Sequence, residues 1–222
     1  MDGEWDYETD EAFDARLRAK LAEIDAKYSE CSAPSVEKPI LTEKSVYYKL
    51  HSELTKKGKR SQVFRGVVHN LFGAPAHAAP FLYNFKSEVD VLEIQRDNTI
   101  IGYELKGYRK KKGMYMPPNY YLGLDQALSY LVNPLVFKDK NLGLFYGSIF
   151  DYVYLVHPRG NDGTDIQRMS DAIEKCTPIG FMLVDDHDVE EIVKPKKNPF
   201  VNSEIQQMFL DAPHVLDMYR RY

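Results

Sequence analysis

Residues 88–107 read EVDVLEIQRDNTIIGYELKG, two apolar runs joined by the polar tripeptide Arg96-Asp97-Asn98. Strand-forming residues on either side of a short polar turn predict a β-hairpin. In a strand, alternate side chains share a face, so Gly102, Glu104 and Lys106 point one way while Ile101, Tyr103 and Leu105 point the other. Glu104 and Lys106 therefore emerge together at the end of the second strand. The turn at 96–98 brings the start of the first strand, with Asp90, opposite that end. Two carboxylates and an ammonium converge with no long-range folding assumption.

Such a set suits a hard divalent cation, because Mg²⁺ takes a few carboxylate or carbonyl oxygens and keeps several waters. A lysine beside it can orient the attacking water or balance charge on a phosphorane-like transition state. The chemistry implied is phosphodiester hydrolysis. The same acid-x-lysine spacing occurs at Asp25-Ala26-Lys27, but with no strand before it and no partner acid, and there it reads as a solvated helix face.

Charge is segregated around the hairpin. The 222 residues carry a formal net charge of −4, yet residues 1–40 sum to −6, residues 41–112 to +7 and residues 113–222 to −5. The basic excess collects where an anionic partner would be held. Arg109-Lys110-Lys111-Lys112 leaves the strand directly after Lys106, and backbone phosphates would be its natural ligands. Lys56, Lys57, Lys59 and Arg60 extend the same basic character, and Tyr115, Tyr120 and Tyr121 could stack on bases of an unpaired strand.

Upstream, a stripe at Phe13, Leu17, Leu21, Ile24 and Tyr28 predicts an amphipathic N-terminal helix, and the proline-bearing CSAPSVEKP reads as a linker. The expected organisation is an acidic appendage over 1–39, packing on the body or forming a dimer contact, and a main domain over 40–222. That domain opens with a helix capped by Thr42, with apolar positions at Val46, Tyr47, Leu50 and Leu54. SQVFRGVVHN follows as a strand. Beyond the hairpin, PPNYYLGLDQALSYLVN reads as helix up to Pro134 and GSIFDYVYLVHP as a strand. A helix near 166–175, two further strands and a helix near 203–220 complete the chain. Strands interleaved with helices indicate an α/β domain with a mixed central sheet. No apolar run is long enough to span a bilayer and the N-terminus is acidic, so the expected location is cytoplasmic.

The hairpin resembles the active-site core of the PD-(D/E)XK nuclease superfamily, in which an Asp and then an acid-x-Lys at the end of the next strand bind metal and activate water. The helix after the core carries Gln126-Ala-Leu-Ser-Tyr130, similar to the Gln-x-x-x-Tyr motif of the RecB-like branch. The helix before it offers an early acid, Glu43 or Glu53, and the resolvase-like members, whose acid opens that helix, favour Glu43. Val89 stands where the eponymous motif has proline. The resemblance implies a restriction-endonuclease-like core over about residues 40–200. It implies catalytic roles for Asp90, Glu104, Lys106, Gln126, Tyr130 and Glu43, and Mg²⁺ or Mn²⁺ held by Asp90, Glu104, Glu43 and an oxygen of Leu105. DNA is the implied partner, contacted by Arg109, Lys110, Lys111, Lys112 and Tyr130. The implied activity is that of a deoxyribonuclease, either an exonuclease or nickase or a structure-specific endonuclease, with a homodimer as the implied assembly of the resolvase-like reading. The alternative is a non-catalytic nucleic-acid-binding module on the same fold. Cys31 and Cys176 are the only cysteines, too few for the four-cysteine iron–sulphur cluster found in some relatives. His69, in the first strand, reads as a satisfied strand residue rather than a ligand.

Overall fold

The computed structural model describes residues 40–56, 61–69, 87–132, 136–138, 143–145, 147–160 and 163–211. By its internal contacts the chain divides into Met1–Pro39 and Ile40–Tyr222. The expected N-terminal helix and linker, Asp25, Lys27 and Cys31, the basic residues Lys57, Lys59 and Arg60, and residues 212–220 of the last helix lie outside the described residues.

Helix α1, Glu43–Leu54, starts where Thr42 caps it, its side chain accepting from the Ser45 amide. Val46, Tyr47, Leu50 and Leu54, at helical spacing, are all buried. Strands β1 (Gln62–Val68), β2 (Glu88–Ile94) and β3 (Ile100–Leu105) form an antiparallel meander. The β2–β3 turn is closed by a bond from the Asn98 amide to the Gln95 carbonyl, with Asn98 at φ 67, a left-handed position asparagine tolerates. Next comes a short ribbon of β4 (Arg109–Lys111) and β5 (Met114–Met116), then helix α2 (Leu124–Val132) and the hairpin β6 (Val136–Lys138) and β7 (Gly143–Phe145). Strand β8 (Tyr152–Pro158), helix α3 (Gly163–Cys176), strands β9 (Gly180–Val184) and β10 (Val189–Val193) and helix α4 (Ser203–Leu210) follow.

The six long strands make one sheet in the order β1-β2-β3-β8-β9-β10. β3, β8 and β9 run parallel while the other neighbours are antiparallel, so the chain is α/β with a mixed central sheet. Its two faces are both covered. Val91, Ile101, Tyr103, Leu105 and Val156 pack with α1. Leu92, Ile100, Val153, Leu155 and Phe181 pack with α2, α3 and α4. β3, with all six residues buried, is the strand between these two cores.

Two expectations are corrected. Helix α2 begins at Leu124, not at the prolines, because Gly123 sits at φ 83, outside helical geometry, and Pro117 and Pro118 precede it. Strand β8 begins at Tyr152, since Gly147 to Asp151 form bends and an isolated bridge from Ser148 to Val201. Of the basic run, Arg109, Lys110 and Lys111 form one strand of the β4–β5 ribbon and Lys112 lies in its turn. No helix among the described residues is long and apolar enough to cross a membrane.

Candidate active site

The register that sets Val91 opposite Tyr103 and Leu92 opposite Gly102 puts Asp90 beside Glu104. Asp90 Oδ2 accepts from the Leu105 amide at 2.8 Å, which ties the first acid to the end of the second strand. Glu104 is 1% exposed and receives Lys106 Nζ on Oε1. Burial, and after it the charge of Asp90, push the Glu104 carboxyl up to about 7 in spite of Lys106 and Tyr130. Asp90 is also raised, chiefly by burial, with the Leu105 amide and Lys106 opposing. Two acids side by side at a dry strand end repel as anions, and Lys106 offsets only part of that.

Glu43 joins them through a backbone contact. The Tyr108 amide donates to the Leu41 carbonyl at 3.0 Å, drawing the start of α1 onto the residues after Lys106. Gly107 makes this possible: a Cβ there would stand 2.1 Å from the Glu43 amide nitrogen. The Glu43 carboxyl is raised, first by burial and then by Asp90, against the pull of Lys106, Arg65 and Arg109. Glu53 sits at the other end of α1, paired with Lys56 and sharing a surface pocket with His187 and Asp188. Of the two early acids, Glu43 is the one at the carboxylate pair. Among the described residues, no three His, Cys, Asp or Glu side chains are close enough to hold a metal unaided.

Tyr130 is drawn into the site from α2. Its hydroxyl lies within hydrogen-bonding distance of Glu104 Oε2 and of the Glu88 carbonyl, the latter at 2.9 Å, so one proton is shared between two acceptors. Burial and the Glu104 charge push the phenol well above its usual range and keep it a donor. The expectation that Tyr130 touches nucleic acid is corrected, because the ring is 2% exposed and packs on His69 and Phe150. Gln126, one turn earlier, is exposed. Tyr120 is also buried, so of the three candidate stacking tyrosines only Tyr115 and Tyr121 are exposed.

Two residues that the sequence reading passed over belong to this end of the sheet. Glu88, two positions before Asp90, raises the pKa of both Asp90 and Tyr130 by its charge. Gly66, at φ 62 on the neighbouring strand, leaves room for it: a Cβ would come within 2.9 Å of Glu88 Oε1. An acid at the same strand end was the available signal. His157, 1% exposed at the end of β8, accompanies Lys106 because β8 runs parallel to β3, a pairing that no local pattern reveals. Its Nε2 contacts the Leu122 carbonyl at 3.0 Å and burial pushes the imidazole down to about 4. His69 is buried, bonded to Ser87 Oγ at 3.1 Å.

Beside the acids stands the β4–β5 ribbon. Lys112 and Gly113, at φ 49 and 87, form its turn, as a two-residue hairpin loop requires. Arg109, Lys110 and Lys111 pair with Met116, Tyr115 and Met114, and all six residues are exposed. A cavity of about 410 Å³ separates ribbon from sheet, with Lys106 and His157 in its lining. Another cavity, about 530 Å³, opens on the α1 face, where Glu93 accepts from the Tyr103 hydroxyl at 2.6 Å and Glu191 from that of Tyr154. Its carboxylates are already engaged, Glu93 and Glu191 by tyrosines and Asp97 by the Thr99 amide.

Comparison of the chain with models of known protein families, with curated proteins and with solved structures finds no match in any of the three.

Proposed function

We propose that this chain is a metal-dependent nuclease that hydrolyses DNA phosphodiester bonds on a restriction-endonuclease-like core. One observation carries the reading: Asp90, Glu104 and Lys106 lie together at one strand end, with Glu43 and Tyr130 brought to them from the helices on either face.

The donor set fits a hard divalent cation. Asp90 and Glu104 are adjacent oxygen donors, both raised first by burial and Glu104 also by the charge of Asp90, and a cation would offset the cost of holding them ionised. Asp90, Glu104 and the Leu105 carbonyl would hold Mg²⁺ or Mn²⁺, with Glu43 at the edge. Bound there, the ion supplies Lewis-acid polarisation of the phosphate and lowers the pKa of a water. The chain's own groups do the rest. Lys106 places a positive charge where a scissile phosphate would gather negative charge. Tyr130 fixes the Glu104 carboxylate through Oε2. Arg109 to Lys112 hold the flanking backbone by charge, a sequence-independent term that weakens with salt.

The test is cleavage of single-stranded, duplex, supercoiled, flap and four-way-junction DNA with Mg²⁺ or Mn²⁺, comparing the chain with Lys106→Ala. Cutting that vanishes in the variant and in chelator supports the reading. No cutting of any substrate, with salt-sensitive binding retained, supports instead a non-catalytic binding module.

A further inference from the structure

The cavity between the β4–β5 ribbon and the ends of β3 and β8 has the chemistry of a nucleotide site rather than of a generic basic surface. Its walls carry four cations, Lys106, Arg109, Lys110 and Lys111, and among the described residues no carboxylate lines it. An anion is selected. Cations alone would serve the outside of any duplex, but this cavity adds an apolar wall of Met116, Pro117 and Leu122. A flat, uncharged ring system would cover that wall.

Two polar groups stand beside the apolar wall. Asn119 accepts the Tyr121 amide on Oδ1 at 3.1 Å, which orients the side chain so that Nδ2 is the end left to donate. His157 meets the Leu122 carbonyl through Nε2, and a carbonyl only accepts, so Nε2 carries the proton and Nδ1 is the ring's acceptor. Asn119 offers a donor beside an apolar slot that also carries cations, and the buried His157 ring lines it too. At about 410 Å³ the space lies within the range of small-ligand sites, about 300–1,000 Å³.

We propose that this cavity is a subsite for one unstacked nucleotide next to the scissile phosphate, so that the substrate strand is unpaired where it meets Lys106. The proposal rests on the nuclease reading for the position of that phosphate. The physical reason is access: a base still paired and stacked in a duplex cannot enter a cavity roofed by a ribbon, whereas an extruded or unpaired base can. Lys106, shared by the cavity and the carboxylates, joins the subsite to the reacting end of β3.

Fluorescence anisotropy in chelator tests it without requiring catalysis, using a labelled oligonucleotide alone and annealed to its complement. At equal salt the single strand should bind roughly tenfold tighter, the worth of stacking one base. Asn119→Trp, which fills the cavity from an exposed position and removes no cation, should abolish that preference and leave duplex binding unchanged. Met116→Gln, which makes the apolar wall polar from another exposed position and adds no charge, should do the same and guards against local misfolding of the first variant. Equal binding of the two DNA forms, or a preference that survives both substitutions, overturns the subsite. Metal-dependent cleavage, measured separately, decides the nuclease reading. The subsite stands if binding behaves as expected while cleavage is absent, and falls in the opposite case.

Discussion

Tyr130, on the helix that follows the core, reaches across to hydrogen-bond Glu104, the acid that ends β3. A donor on a carboxylate favours its ionised form, so this contact works with Lys106 against the burial that pushes Glu104 up. Tyr130→Phe keeps the ring against Phe150 and removes only the donor. The fold should lose roughly 1–2 kcal/mol, the usual worth of a hydrogen bond to such a group. The acid limb of metal-dependent cleavage should move to higher pH, because Glu104 then holds its proton longer. A pH–rate profile and a denaturant melt of the variant check both, and an unmoved acid limb would detach Tyr130 from Glu104 in the working site.

Metal should stabilise the chain in a pH-dependent way. Any ligand that binds only the folded state raises stability by mass action, and a cation on Asp90 and Glu104 competes with the proton that Glu104 takes up near pH 7. The rise in Tm with Mg²⁺ or Mn²⁺ should therefore be larger at pH 8 than at pH 6. Asp90→Asn should remove it at both. A shift in Tm that is equal at the two pH values, or retained in Asp90→Asn, would mean that the ion sits elsewhere.

Gly107 should tolerate no side chain. A Cβ would stand 2.1 Å from the Glu43 nitrogen and 2.7 Å from the Thr42 carbonyl carbon, both backbone atoms that cannot swing away. Gly107→Ala must push α1 off the end of β3, at a cost of roughly 2–4 kcal/mol in the class of severe core overpacking. It should also depress cleavage by displacing Glu43. Gly113 is the control: it has φ 87 and nothing within 4 Å of its ideal Cβ, so Gly113→Ala should cost only the left-handed backbone strain, about 1–2 kcal/mol. Unfolding of the two variants side by side distinguishes steric exclusion from strain.

What was legible in the sequence was what is local. The 88–107 hairpin could be read because strand-forming composition and turn chemistry act over a few residues, and its register follows from the turn, which is why Asp90 meets Glu104. Thr42 and the stripe at Val46, Tyr47, Leu50 and Leu54 were legible for the same reason at helical period. The ribbon was not, because Arg109–Lys111 and Met114–Met116 are exposed on both faces and leave no burial pattern to read. The pairing of Gln126 with Tyr130 on one helix could be read, but the burial of Tyr130 depends on Glu104, which arrives from another element. His157 was hidden for the same reason, since its neighbour Lys106 comes from a parallel strand about fifty residues earlier in the chain, and parallel pairing is non-local.

Acid should reveal two opposed contributions to stability. His69 and His157, buried, are pushed down to about 3 and about 4, so between those values and about 6.5 the unfolded chain binds protons that the folded chain refuses. Unfolding then takes up protons, and stability is intact above about 6.5 and lost as pH falls, at roughly 1 kcal/mol per unit for each imidazole. Glu104 has the opposite sign. Its raised carboxyl holds a proton in the folded state that the unfolded chain releases, so its contribution grows as pH falls from about 7 towards the model-peptide value of 4.5. The metal-free wild type should therefore lose stability only gently between pH 6.5 and 4.5, Glu104 cancelling about one imidazole and the raised Asp90 and Glu43 acting in the same direction. Glu104→Gln removes the cancelling group and keeps the shape, so its stability should fall more steeply over the same window. Urea midpoints at half-unit pH steps for both chains settle the point: parallel curves would mean that Glu104 is ionised normally in the folded protein, and a flat curve for the variant would mean that the two imidazoles are not sequestered from solvent.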